Sequence, residues 1–137
     1  MKPIKAKRLR AGNTLGLVAP SHTIHERMPF DIAIDTLQAM GVDPASITDV
    51  IITHMHYDHC GNHHLFGGAR FHLQDAEMRF ATSRHMCNDY MSHPYEVVEV
   101  VSMVRLVYKD RVKFHDGTAE LAPGVSVHHI GGHTDGL

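Results

Sequence analysis

Apolar positions along this chain come in short runs broken by glycine, proline and polar clusters. Val50-Ile51-Ile52 is an unbroken β-branched run and predicts a buried strand. Phe71-His72-Leu73 alternates in polarity and predicts a short strand, and Val112-Lys113-Phe114-His115 predicts another. The turn signal Asp116-Gly117 precedes a strand beginning at Ala119-Glu120-Leu121, and Pro123-Gly124 turns the chain into a last strand ending at Ile130. A short strand, Leu15 to Ala19, is closed by Pro20-Ser21. Between these runs the spacing turns helical. Residues 29–40 place Ile32, Leu37 and Met40 on one face, with Gly41 as the stop. Asp43-Pro44 reads as an N-cap and first-turn proline of a short helix through Ser46-Ile47. A short helix and a glycine turn at Gly67-Gly68 follow Asn62. Residues 75–82 form a helix with Ala76 and Phe80, or Met78 and Ala81, at contact spacing. Residues 94–107 form one with a broad apolar face of Val97, Val100, Val101, Val104 and Leu106. Residues 83–94 are polar, with Met86, Cys87, Tyr90 and Met91 scattered among them, and read as a loop over a site. Strands with intervening helices predict an α/β sandwich layer.

The chemistry concentrates directly behind the first buried strand, in Thr53-His54-Met55-His56-Tyr57-Asp58-His59-Cys60-Gly61-Asn62. Imidazole and carboxylate suit a borderline metal such as zinc. His54 and His56 are two apart, so in an extended segment they leave the backbone on one side and can grip one ion. Asp58 and His59 fall where the chain turns, and there they can face a second ion or orient water on the first. Histidine is abundant, 14 in 137 residues, so clustering alone is weak. The interleaved Asp58 and the strand in front make a metal site the better reading. Cys60 can be a thiolate ligand or a small buried residue, and the second is favoured. Tyr57 reads as packing. His63 and His64 read as solvent or supporting residues, and at most one of His128 and His129 faces the site. His22 and His25 look like loop residues, and His72, His85, His93 and His115 give no spacing argument.

Composition narrows the setting. A net charge of −2 at pH 7 argues against a nucleic-acid partner, although Lys2 to Arg10 is basic. Cys60 and Cys87 make no disulfide framework, and no stretch reads as a secretory signal or a membrane span. A reducing, cytoplasmic setting with no membrane partner is expected.

The pattern His54-x-His56-x-Asp58-His59 behind an apolar strand resembles the hallmark of the metallo-β-lactamase-fold hydrolases. Gly131-Gly132-His133-Thr134, behind the strand-like residues 125–130, resembles that family's later Gly-His-Thr motif. Between them, Ala69-Arg70-Phe71-His72-Leu73-Gln74-Asp75-Ala76-Glu77 and Leu121-Ala122-Pro123-Gly124-Val125 are similar to the N-acyl homoserine lactonase branch. The resemblance covers about residues 29–137. It implies an α/β fold, a partial αββα sandwich corresponding to roughly the N-terminal half. It implies a first metal site of His54, His56 and His133, with Asp58 and His59 contributing to a second, and zinc as cofactor, one or two ions. It also implies a zinc-dependent hydrolase that uses metal-activated hydroxide on a carboxylic ester or lactone, with Asp58 orienting the hydroxide or passing a proton. Glycines 131 and 132 allow the tight turn that brings His133 inward.

Two departures from the family shape the expectation. Its bridging Asp and final His come later than His133, so the second site lacks ligands in this chain, and a homo-oligomer completing the sandwich is one solution. The alternative is a catalytically incomplete fragment that binds zinc or self-associates. Residues 7–21 resemble the opening of an LD-carboxypeptidase-type serine peptidase. That suggests an N-terminal segment, residues 1–28, of foreign origin before an incomplete domain at residues 29–137, with coincidence in a small strand as the alternative.

Overall fold

The computed structural model describes Asp35 and residues 37–137. The N-terminal segment, His22, His25 and most of the helix expected over residues 29–40 lie outside the described residues. Residues 37–39 are helical, and Leu37 is buried.

Three parallel strands carry the site: β1 (Asp49–Ile51), β2 (Arg70–Gln74) and β3 (Val112–His115), in the order β1-β2-β3. Val50 pairs with Phe71, and Leu73 with Phe114, so these side chains share one face. That face is the core, where Val50, Phe71 and Leu73 join Met55, Cys60, Phe66, Tyr95 and Met103. Burying side chains of this size contributes roughly 1.5–3 kcal/mol each. Residues one step along each strand, Ile51, His72 and Gln74, point to the opposite face. There the sheet meets a hairpin of β4 (Ala119–Ala122) and β5 (Val125–Val127), which pair antiparallel around Gly124 at φ 82°. Ile51, Ile52, His72, His115, Val127 and Leu137 line a cavity of about 280 Å³ between the two.

Beyond residues 37–39, four α-helices are described: α1 (Tyr57–Cys60), α2 (Asp75–Ala81), α3 (Asp89–Ser92) and α4 (Val97–Val107). Asp43 does cap a helix, its carboxylate accepting from Ala45 N, but that helix is a single 3-10 turn, Pro44–Ser46. The expected loop at residues 83–94 is instead a 3-10 turn, Arg84–Cys87, followed by α3. Ser83 and Asn88 cap these two starts with their side chains. The helix expected from residue 94 begins at Val97, and its buried positions are Glu99 and Met103. Val97 and Val101 are exposed, because valines surround this helix and mark no single face. The last strand ends at Val127, short of Ile130, since Ile130 and Gly131 turn their N–H groups to Leu137 O. No helix among the described residues is long and apolar enough to cross a membrane.

Candidate metal centre

The loop behind β1 alternates. Ile52 keeps the ladder to His72 O at 2.9 Å, and Met55 drives into the core with no exposure. His54 and His56 therefore leave on the other side together. The Gly131-Gly132 pair, at φ 72° and 98°, makes a turn in a conformation that side chains resist, and it carries His133 to the same place. Candidate ligand atoms of His54, His56 and His133 all lie within 4.8 Å of one another. Ring centroids stand 4.6 Å apart for His54 and His56, 4.9 Å for His54 and His133, and 4.8 Å for His56 and His133.

Donor chemistry fits a metal. His54 Nδ1 pairs with Thr53 Oγ1 at 3.1 Å, while its Nε2 is buried without a partner. Such an orphan is costly unless something binds it. Burial pushes the His54 and His56 imidazoles down to about 4, helped by the neighbouring histidines and opposed by Asp58. Both rings are therefore neutral near pH 7, the form that ligates. Nitrogens on one tetrahedral zinc stand about 3.4 Å apart, so the cage closes slightly on an ion. His133 is exposed, which leaves one side of the cage open to solvent.

Asp58 and His59 sit on α1, with Asp58 Oδ2 3.5 Å from His59 Nε2. The His59 ring lies 3.9 Å from that of His54, and its Nδ1 is a second buried atom without a partner. Cys60 is buried, its Sγ donates to Met55 O at 3.4 Å, and burial pushes the thiol up to about 12, away from thiolate. His63 is a supporting residue, not a solvent-facing one. It is buried, with Nδ1 2.8 Å from Cys60 O and 3.1 Å from Glu99 Oε2, and Nε2 2.8 Å from Ser102 Oγ. His128 bonds with Thr118 and Ser126, and His129 Nε2 meets Asp135 O at 2.6 Å.

Sequence reasoning missed two supports. Tyr95 packs edge-on against His56, ring centroids 4.7 Å apart. Glu77, on α2, is fully buried and bonded to the loops on both sides of the cage. A glutamate in a helical pattern reads as a solvated position, and only the apolar spacing of Ala76 and Phe80 around it hinted otherwise.

Two histidines behind a parallel strand and a third behind the antiparallel hairpin make a three-histidine group that could hold a metal ion in an α/β protein. The profile of the metallo-beta-lactamase superfamily matches residues 18–137, and the chain belongs to that superfamily. It is 32% identical over 106 residues to the N-acyl homoserine lactonase AiiB of Agrobacterium fabrum, covering 75% of this chain and 38% of the relative. It is 28% identical over 121 residues to an N-acyl homoserine lactonase of Bacillus sp, covering 88% and 41%. Among solved structures it resembles a quorum-quenching N-acyl homoserine lactone lactonase, with TM-score 0.58, 23% identity and coverage of 75% and 37%. A probable metal-dependent hydrolase from Staphylococcus aureus gives TM-score 0.62, 24% identity and coverage of 75% and 36%. In sequence the chain is similar to lactonases of this superfamily, and its structure matches part of the metallo-β-lactamase fold. The chain spans about two fifths of the length of the curated relatives it matches.

Proposed function

We propose that this chain carries the metal-binding half of a zinc-dependent hydrolase that opens a lactone or cleaves a related carboxylic ester, with N-acyl homoserine lactones as the substrate class. The observation that carries this reading is the convergence of His54, His56 and His133, with His54 Nε2 buried and unpartnered. His54, His56 and His133 would hold the first ion, and Asp58 with His59 would contribute to a second. A bound zinc supplies Lewis acidity and acidifies a coordinated water.

The chain's own residues supply the rest. Neutral imidazoles offer lone pairs without first shedding protons near pH 7. Asp58, beside His59 at the rim of the cage, accepts a proton from the attacking water or passes one to the leaving alkoxide. Tyr95 closes the wall behind His56. Free Cys60 and Cys87 suit a reducing, cytoplasmic setting.

A second reading has its own support. Among the described residues a single three-histidine group converges, and the cavity between sheet and hairpin leaves an apolar inner face. A catalytically incomplete chain that binds one zinc or self-associates through that face fits those facts. Both readings are tested by measuring metal per chain on size-fractionated protein purified without chelator, together with hydrolysis of N-hexanoyl homoserine lactone. Metal plus turnover supports the hydrolase. Metal without turnover supports the second reading, and a folded chain without metal sinks both.

A further inference from the structure

A carboxylate with no exposed surface persists as an anion only where donors saturate it. Around Glu77 there are four. Oε1 accepts from Met55 N at 2.8 Å and from the Tyr95 hydroxyl at 3.1 Å. Oε2 accepts from the Thr134 hydroxyl at 2.6 Å and from Gly136 N at 3.2 Å. Burial first, then Glu77 itself, pushes the Tyr95 hydroxyl up, so it stays a donor.

The division between the two oxygens matters. Met55 is the residue between His54 and His56, and Thr134 directly follows His133. One oxygen therefore holds the loop of the first two candidate ligands, and the other holds the turn of the third. Contact reinforces the bond, because Gly136 lies so close to α2 that a Cβ there would collide with Glu77 N, Cα and Cβ. We propose that Glu77 is the positioning residue that docks the His133 turn onto the His54–His56 loop, so that a helix contributing no ligand sets the metal affinity of the cage. The inference rests on the reading that this cage binds metal.

The test follows from donor arithmetic. In Glu77→Gln one oxygen becomes an NH2 group, which hydroxyls can accept from and backbone N–H groups cannot. Each oxygen serves one N–H, so either orientation of the amide strands one arm. Met55 N is the tighter partner, so the Gly136 arm is the one released. Thr134→Val removes a donor while keeping shape, and Thr134→Ser restores the hydroxyl. Zinc affinity of the full chain is read by competition with a chromophoric chelator, with folding followed by circular dichroism. Glu77→Gln and Thr134→Val are expected to bind zinc about 10–100-fold more weakly, and Thr134→Ser as wild type does. Unchanged affinity in both, alongside loss in His133→Ala, overturns the positioning role and leaves the cage reading standing. A wild-type chain that takes up no zinc overturns both. Should Glu77→Gln not fold, the Thr134 pair decides alone.

Discussion

The rings of His72 and His115 stack with centroids 5.2 Å apart, and those of His54 and His133 stand 4.9 Å apart, yet the two clusters are finished differently. His72 Nδ1 meets His115 Nε2 at 2.9 Å, and His72 Nε2 meets Asp49 Oδ1 at 3.0 Å. One proton order satisfies that chain, with His115 donating to His72 and His72 donating to Asp49. Its charges agree. The His72 hydrogen bond holds Asp49 below the usual carboxylate range, and burial, then His72, lowers His115. In the other cluster a ring nitrogen of His54 is buried and bonded to nothing. Proximity of imidazoles therefore does not separate the two clusters; the buried nitrogen without a partner does.

The sharpest way to break that distinction is to delete one ring from each side. His133→Ala is expected to reduce zinc from about one ion per chain to none in chelator-free preparations, while His115→Ala keeps the ion. Metal loss in His115→Ala, read by elemental analysis, would erase the difference. Next comes the docking of the His133 turn. Gly136→Ala forces a methyl into the Glu77 backbone and is expected to cost about 2–3 kcal/mol, seen as a lower urea midpoint. His115→Ala strands His72 Nδ1 in a buried setting and should cost about 1–2 kcal/mol in the same assay.

Acid separates the states more gradually. His54 and His56 titrate near 4 when folded and near 6.5 when unfolded. Between those values the unfolded chain binds more protons, so stability of the metal-free protein falls as pH drops from 6.5 toward 4. A melting temperature flat across that window would contradict the burial of the cage. The smallest effect belongs to α4, where Val97→Lys on the exposed side is expected to stay within about 0.5 kcal/mol.

How far residues alone foretold this arrangement varies by element. Asp43-Pro44 announced its capped turn, because cap chemistry is local. The runs at Val50 and Val112 announced strands, because period and β-branching agree. His54 and His56 were legible as a pair in their spacing, whereas His133 joined them only through the resemblance of Gly132-His133-Thr134 to a family motif. Tertiary choices were not legible. Nothing in a valine-rich helix says that Glu99 and Met103 face inward, and nothing local says that Glu77 collects four donors from distant loops. His72 and His115 lie 43 residues apart, and only the parallel register of β2 and β3 makes them partners.

The Glu77–Thr134 bond joins groups 57 residues apart in the chain, against 39 for His63 and Ser102. Closing so long a loop costs chain entropy before any contact rewards it, and pairings of that kind slow folding. The turn around His133 is nonetheless short and tied to itself through Leu137 O, so it can arrive as one piece. An ion gripped by His54, His56 and His133 would act as a reversible cross-link between the loop behind β1 and the last turn, resisting their separation much as a disulfide would. Chelation should then loosen this closure first and leave the sheet and α4 to melt afterwards.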